Sequence, residues 1–207
     1  MSIPTISLHG TAFSGHTHRV ENLLLILGVP YRFVDSPAAV RHTPEFRALN
    51  PLGEIPVLQD GELVLADSNA ILVYLAKRYG ASTHWLPEDP LGAARVQRWL
   101  SIAAGEMKYG PATARLVTLW GGPGDAVQAR EIAERLLRFI DPYLGGRSYL
   151  AADHPTIADL ACYPYLAHAP EGRISLEPYP AVLAWIARLE ALPRFKRMPR
   201  SSIPDGA

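Results

Sequence analysis

The chain has one cysteine in 207 residues, Cys162, and no CxxC pair. A lone thiol excludes an intramolecular disulfide and fits a reducing compartment. Neither charge is in excess: 20 basic residues stand against 20 acidic ones. Net charge therefore gives no reason to expect nucleic acid or an anionic membrane as partner. No apolar run approaches the roughly 18 residues of a membrane span. The opening MSIPTISLHG lacks the basic start and apolar core of a signal peptide. No internal repeat and no low-complexity tract interrupts the chain. The expectation is a soluble cytoplasmic protein with no membrane or nucleic-acid partner.

What is present is enough to build a core. Hydrophobic residues make up 48% and charged residues 19%, which argues against disorder. The length suits one large domain or two small ones. Thr5 to Leu8 reads as a strand and Gly10 to Gly15 as a loop. From about Thr17, Val20, Leu23, Leu24 and Leu27 recur at helical spacing, and Gly28 supplies the stop. Tyr31 to Val34 is a second strand, so the pair requires a parallel crossover. Ser36 to Pro44 is loop-like, and Glu45 to Leu49 makes a helical turn. Pro56–Gln59 and Glu62–Leu65 form a hairpin turning at Asp60-Gly61. A helix follows from about Asn69 to Tyr79, with Ala70, Ile71, Tyr74 and Leu75 inward. This order is that of a thioredoxin-like domain, residues 1–80, followed by a linker, 81–90.

After the linker the strand signals vanish, and 91–207 reads as an all-helical domain. Helix covers Gly92 to Trp120, broken near Gly105 or Gly110-Pro111. Asp125 caps a helix that ends at Gly145-Gly146. Thr156 to Asp159 matches a capping box, and Pro164 inside the next pattern should kink or end that helix. A last helix spans Pro180 to Ala191. The fold class is α/β plus all-α.

Three places can carry chemistry. Pro56 opens an inner strand, where it removes a ladder donor. Two solutions fit: a cis peptide that turns the Ile55 backbone toward a peptide ligand, or a trans proline opening an edge strand. Asp67-Ser68 precedes a helix. Ser68 is a candidate N-cap, and the helix start is also an anion site. There the Ser68 N–H and hydroxyl suit a carboxylate, and Asp67 suits the matching ammonium of an α-amino acid. The third place, Ser14 to Arg19, lies at the positive end of the first helix. Either Ser14 or Thr17 caps it, and a thiolate there would be stabilised. His16 and His18 are two apart and diverge on a helix, so they make no metal pair. No metal is expected. Without CxxC, the thiol of a disulfide exchange is missing, and any thiol must come with the ligand.

SGHTHRVENLLLILGVPY, PEFRALNPLGEIPVLQDGELVLADSNAILVYLAKRYG and HPTIADLACYPYLAHAPEG together make the chain resemble the cytosolic glutathione S-transferases, nearest to bacterial nu- and theta-like members. The resemblance covers nearly the whole chain. It implies a cis Pro56 and a catalytic Ser14 whose hydroxyl bonds the glutathione sulfur. It implies that the Ile55 backbone pairs with the cysteinyl part, and that Asp67 and Ser68 hold the γ-glutamyl end. Asp67 stands where the family more often has Glu. The glycine carboxylate falls to Arg41 and His42. Glu54, at a position often basic, cannot bind it directly. His16 stands where relatives carry Asn or Cys, and either donates to the sulfur or points away. Thr156 and Asp159 are structural.

The resemblance implies a glutathione transferase. Glutathione is its co-substrate, a small electrophile its second substrate, and a homodimer its assembly. A free thiol has a pKa of about 8.5, so the site must lower it. Tyr109, Arg115, Tyr163 and His168, on helices past residue 100, are the candidates for a second-substrate pocket. Two alternatives share the fold: a ligand carrier without chemistry, which the acidic Glu54 keeps open, and a glutathione-dependent disulfide or peroxide reductase.

Overall fold

The computed structural model describes residues 6–80 and 84–204. Thr5, expected in the first strand, and positions 81–83 of the expected linker lie outside these. The chain divides into two compact units. One runs to Trp85 and takes in Pro193–Met198; the other comprises Leu86–Leu192 and resumes at Pro199. A short C-terminal piece, Pro193–Met198, thus belongs with the first unit.

The first unit holds a four-stranded sheet in the order β2-β1-β3-β4, with β1 at Ile6–Gly10, β2 at Tyr31–Asp35, β3 at Val57–Asp60 and β4 at Leu63–Ala66. β1 and β2 are parallel, as the short crossover requires, and the remaining pairings are antiparallel. The crossover helix α1, Gly15–Leu27, buries Val20, Leu23 and Leu24 completely. Gly28 ends it at φ 68°, and its N–H closes on the carbonyls of Leu24 and Leu25. A left-handed residue of this kind is what glycine supplies without cost.

Several boundaries differ from expectation. Ser36 to Pro44 is not all loop. It contains a single helical turn, α2, Ala38–Arg41, too short for periodicity to reveal. Thr43 then caps α3, Pro44–Leu49, by accepting from Phe46 N–H. The hairpin turns at Gly61 and Glu62, one residue later than expected, because Asp60 pairs with Leu63. The Asp60 carboxylate accepts from the hydroxyls of Tyr74 and Tyr79. Burial, then this carboxylate, pushes the Tyr79 hydroxyl up to about 12. The helix after the hairpin is α4, Ser68–Tyr79. It buries Ile71, Leu72, Leu75 and Ala76, whereas Ala70 is exposed and Tyr74 half-buried.

The returning segment is bound to α1 by its backbone. Lys196 N–H donates to Asn22 Oδ1 at 2.9 Å, and the Lys196 carbonyl lies 2.7 Å from His18 Nε2 and 3.1 Å from Asn22 Nδ2. A carbonyl can only accept, so His18 carries its proton on Nε2.

Among the described residues of the second unit, all the regular structure is helical. It contains α5, Pro90–Ala104, a π-helical turn at Lys108–Ala112, α6, Thr113–Trp120, and α7, Ala126–Leu144. It continues with α8, Ile157–Ala167, a 3-10 turn at Ala169–Gly172 and α9, Pro180–Glu190. The expected break falls at Gly105 and at Gly110-Pro111. Gly110 lies against α7, where a Cβ would come within 3.0 Å of Ala133 N. Pro164 does not end its helix. α8 runs three residues past it, and nearly every residue of α8 is buried, so packing outweighs the one lost hydrogen bond. Asp159 is the hub of this unit. Its carboxylate accepts from Leu150 N–H, Thr156 N–H, the Thr156 hydroxyl and Trp185 Nε1–H. The capping box is thus the structural feature expected. Among the described residues no helix is long and apolar enough to cross a membrane.

Candidate active site

The register of the first sheet gathers one set of chain ends. Val57, the first residue of β3, pairs with His9 near the end of β1 and with Ala66 at the end of β4. The loop after β1, the residues before β3 and the residues after β4 therefore share one edge. Ser14, Ile55 and Asp67 lie in those loops, and Ser68 opens the helix that follows the last of them.

Ser14 caps α1. Its backbone is extended, with φ −85° and ψ 115°, and Oγ accepts from Thr17 N–H at 3.2 Å. Thr17, the other sequence candidate, lies inside the helix. Gly10 permits the close start: a Cβ there would meet the Thr17 side chain at 2.2 Å. Accepting with one lone pair leaves the Ser14 proton to donate, at the end of α1 where unpaired N–H groups concentrate positive charge. A sulfur seated there would meet a hydroxyl donor and the helix dipole together.

The Ile55–Pro56 peptide is cis. Among the described residues, neither Ile55 N–H nor its carbonyl has a hydrogen-bond partner. Next to it, Asn50 stabilises the loop by donating to the Glu54 carbonyl at 2.9 Å and accepting from Leu52 N–H at 3.2 Å. A free N–H and C=O on one half-buried residue form a short strand edge, able to pair with an extended peptide.

Asp67, not Ser68, is the N-cap of α4. Its Oδ1 accepts from the N–H groups of Asn69 and Ala70, both at 2.9 Å. Its backbone sits at φ 69°, ψ 119°, a region that side chains rarely adopt. Ser68 becomes the first helical residue and is buried. Two side chains of α1 reach its hydroxyl: Arg19 Nη1 at 3.2 Å and His16 Nδ1 at 3.3 Å. Arg19 is 1% exposed and donates also to Asn69 Oδ1 at 2.9 Å. His16 thus contacts the Asp67-Ser68 corner. Arg19 was missed by sequence reasoning. The signal was available: His16 and Arg19 are three apart, hence on one face of α1.

Arg41 ends α2 half-buried, with Nε lacking a hydrogen-bond partner, and His42 is exposed beside it. The turn at Gly53, φ 66°, packs on this end, since a Cβ there would lie 3.1 Å from the Arg41 carbonyl. Arg41, His42 and Glu54 are therefore neighbours. Glu54 is exposed, so its carboxylate can turn to solvent.

The four helical candidates separate. Tyr109 is 58% exposed on the π-helical turn. Arg115, Tyr163 and His168 are interior, which leaves them no surface to offer a ligand, and the expectation of a pocket wall does not fit them. Arg115 Nε and His168 Nδ1 both bind the buried Glu171 carboxylate, at 2.5 and 2.7 Å, and the Tyr163 hydroxyl donates to Glu190 at 2.8 Å. Burial pushes the His168 imidazole down, against the pull of Glu171. Burial also works to raise Glu171, but bonds from Arg115, His168 and Ser201 N–H outweigh it and hold the carboxyl below its usual range. Among the described residues no three His, Cys, Asp or Glu side chains gather as a metal site.

Comparison with known proteins agrees with this geometry. The glutathione S-transferase N-terminal domain model matches residues 8–83, and the C-terminal domain model matches 122–193. Glutathione S-transferase 3 of Zea mays is 32% identical over 204 residues, covering 93% of this chain and 92% of the relative. Glutathione S-transferase theta-2 of Homo sapiens is 33% identical over 181 residues, covering 79% and 72%. Among solved structures, a glutathione S-transferase from Pseudomonas fluorescens superposes with TM-score 0.87 at 29% identity, covering 94% of this chain and 98% of that one. A theta-class enzyme from Xanthomonas axonopodis pv. citri, solved with glutathione bound, gives TM-score 0.84 at 27% identity and covers 98% and 100%. The chain belongs to the glutathione S-transferase family.

Proposed function

We propose that this chain is a glutathione transferase that binds glutathione along the edge formed by the loops before α1, β3 and α4. The observation that carries the reading is the unpaired Ile55 backbone, flanked by two helix starts that each present a serine. A γ-glutamyl tripeptide has the matching features: an α-amino acid head, a central peptide unit and a thiol. The head is held by Asp67 and Ser68, the cysteinyl unit pairs with Ile55, and the thiol meets Ser14. Arg41 and His42 hold the glycine carboxylate, and exposed Glu54 stays out of that contact.

The chemistry follows. The Ser14 hydroxyl and the α1 N–H groups stabilise the thiolate over the thiol, so the proton leaves to water at neutral pH. The thiolate sulfur attacks an electrophilic carbon, an S–C bond forms and the leaving group departs with its electron pair. The protein works in the cytoplasm as a homodimer.

The test is a calorimetric titration with glutathione, followed by conjugation of an activated aryl halide. Binding with turnover is expected. Binding with neither conjugation nor reduction of a peroxide or disulfide would make the chain a carrier.

A further inference from the structure

Two donors converge on one hydroxyl at the head of α4. Arg19 Nη1 lies 3.2 Å and His16 Nδ1 lies 3.3 Å from Ser68 Oγ. Among the described residues these are the only side-chain partners of Ser68. A hydroxyl has two acceptor lone pairs and one proton. A guanidinium can only donate, so Arg19 fills one lone pair permanently. An imidazole nitrogen can do either. With a proton on Nδ1, His16 fills the second lone pair, and the Ser68 proton is directed away from both partners. Without that proton, Nδ1 takes the Ser68 hydrogen for itself. Ser68 then presents a carboxylate with an occupied donor.

We propose that His16 is the positioning residue of the γ-glutamyl subsite. In its Nδ1–H form it fixes the Ser68 hydroxyl as a donor to the ligand α-carboxylate. The inference rests on the reading of Asp67 and Ser68 as the γ-glutamyl clamp. It assigns His16 to that end of the ligand and not to the sulfur. Arg19 is the constant partner. Its position is fixed by Asn69 Oδ1 at 2.9 Å, and its buried charge adds to the positive end of α4. Ligand binding selects the Nδ1–H form because only that form completes the carboxylate contact.

The test compares native protein, His16→Leu and His16→Asn by calorimetry with two ligands, glutathione and S-methylglutathione, which has no thiol to ionise. His16→Leu should weaken both ligands equally, by about ten- to a hundredfold, the range of one charge-assisted hydrogen bond. His16→Asn carries an amide N–H near the place of Nδ1 and should recover most of the loss. In turnover, His16→Leu should raise KM for glutathione and leave kcat at saturation unchanged. Nitrogen-15 NMR of the native complex should show His16 protonated on Nδ1, a readout that needs no variant. If the native chain binds both ligands but His16→Leu binds them as tightly, or loses only glutathione, the inference falls while the glutathione reading stands. A bare Nδ1 in the native complex has the same consequence. If the native chain binds neither ligand, both fall together.

Discussion

Arg19 Nη1 donates to Ser68 Oγ across 3.2 Å, tying the middle of α1 to the first residue of α4. The bond makes α1 and α4 a single support for one corner of the site. Both ends of the bond are buried, at 1% and 4% exposure, so neither side chain is free to swing. Replacing Arg19 should act on stability and on ligand affinity at once.

Arg19→Met keeps the length of the side chain but removes every donor. Loss of a buried charged hydrogen-bonding partner should cost about 2–4 kcal/mol in urea unfolding. KM for glutathione should rise in parallel. Arg19→Lys should recover part of both losses, because the bonds to Ser68 and Asn69 leave from one nitrogen, Nη1, and an ammonium carries three donors.

Asp67 tests the cap and the backbone separately. Asp67→Asn retains an acceptor for the N–H groups of Asn69 and Ala70, and Asn tolerates positive φ, so its melting temperature should stay near native. Asp67→Ala loses the cap and keeps an unfavourable φ of 69°, with an expected cost of about 1–2 kcal/mol. Asp67→Gly loses the cap but relaxes the backbone, and should fall between them. If the three variants melt together, Asp67 does not determine the entry into α4.

The helical unit should carry much of the acid sensitivity of the chain. The Glu171 carboxyl is held below its unfolded value of 4.5, so its contribution is complete above that pH and lost as pH falls through the folded value. The His168 imidazole is pushed below 6.5, chiefly by burial. It stays neutral in the fold while the unfolded chain takes up a proton, and stability drops as pH falls below 6.5. Both act in the same direction. Glu171→Gln should cost about 3–5 kcal/mol at pH 7, because it leaves Arg115 buried without its carboxylate. Its stability should also fall less steeply than native below about pH 4.5. Guanidinium unfolding at a series of pH values checks both.

Much of this was legible in the residues, and the exceptions have physical causes. Gly28, the Asp125 cap, the Thr156–Asp159 box and the order of strands were visible because each depends on local chemistry. α2 was missed because one helical turn has no periodicity to detect. Ser68 looked like the cap of α4, but Asp67 reached the positive φ that lets its own carboxylate take the role. Arg115, Tyr163 and His168 were candidates for a pocket by their place on helices past residue 100. Their partners Glu171 and Glu190 lie far away in sequence, and long-range pairing of buried charges leaves no local pattern. Arg19 was missed for the same reason, although its spacing from His16 pointed to a shared face.

The most direct measurement of the central claim is the pKa of the glutathione thiol bound to the native chain and to Ser14→Ala, followed through thiolate absorbance at 240 nm. The native complex should titrate at least about one unit below the free thiol, equivalent to about 1.4 kcal/mol of thiolate stabilisation. Ser14→Ala should return most of that shift while still binding the tripeptide. A bound thiol that titrates like the free one in the native protein, or equally in both proteins, would contradict the account.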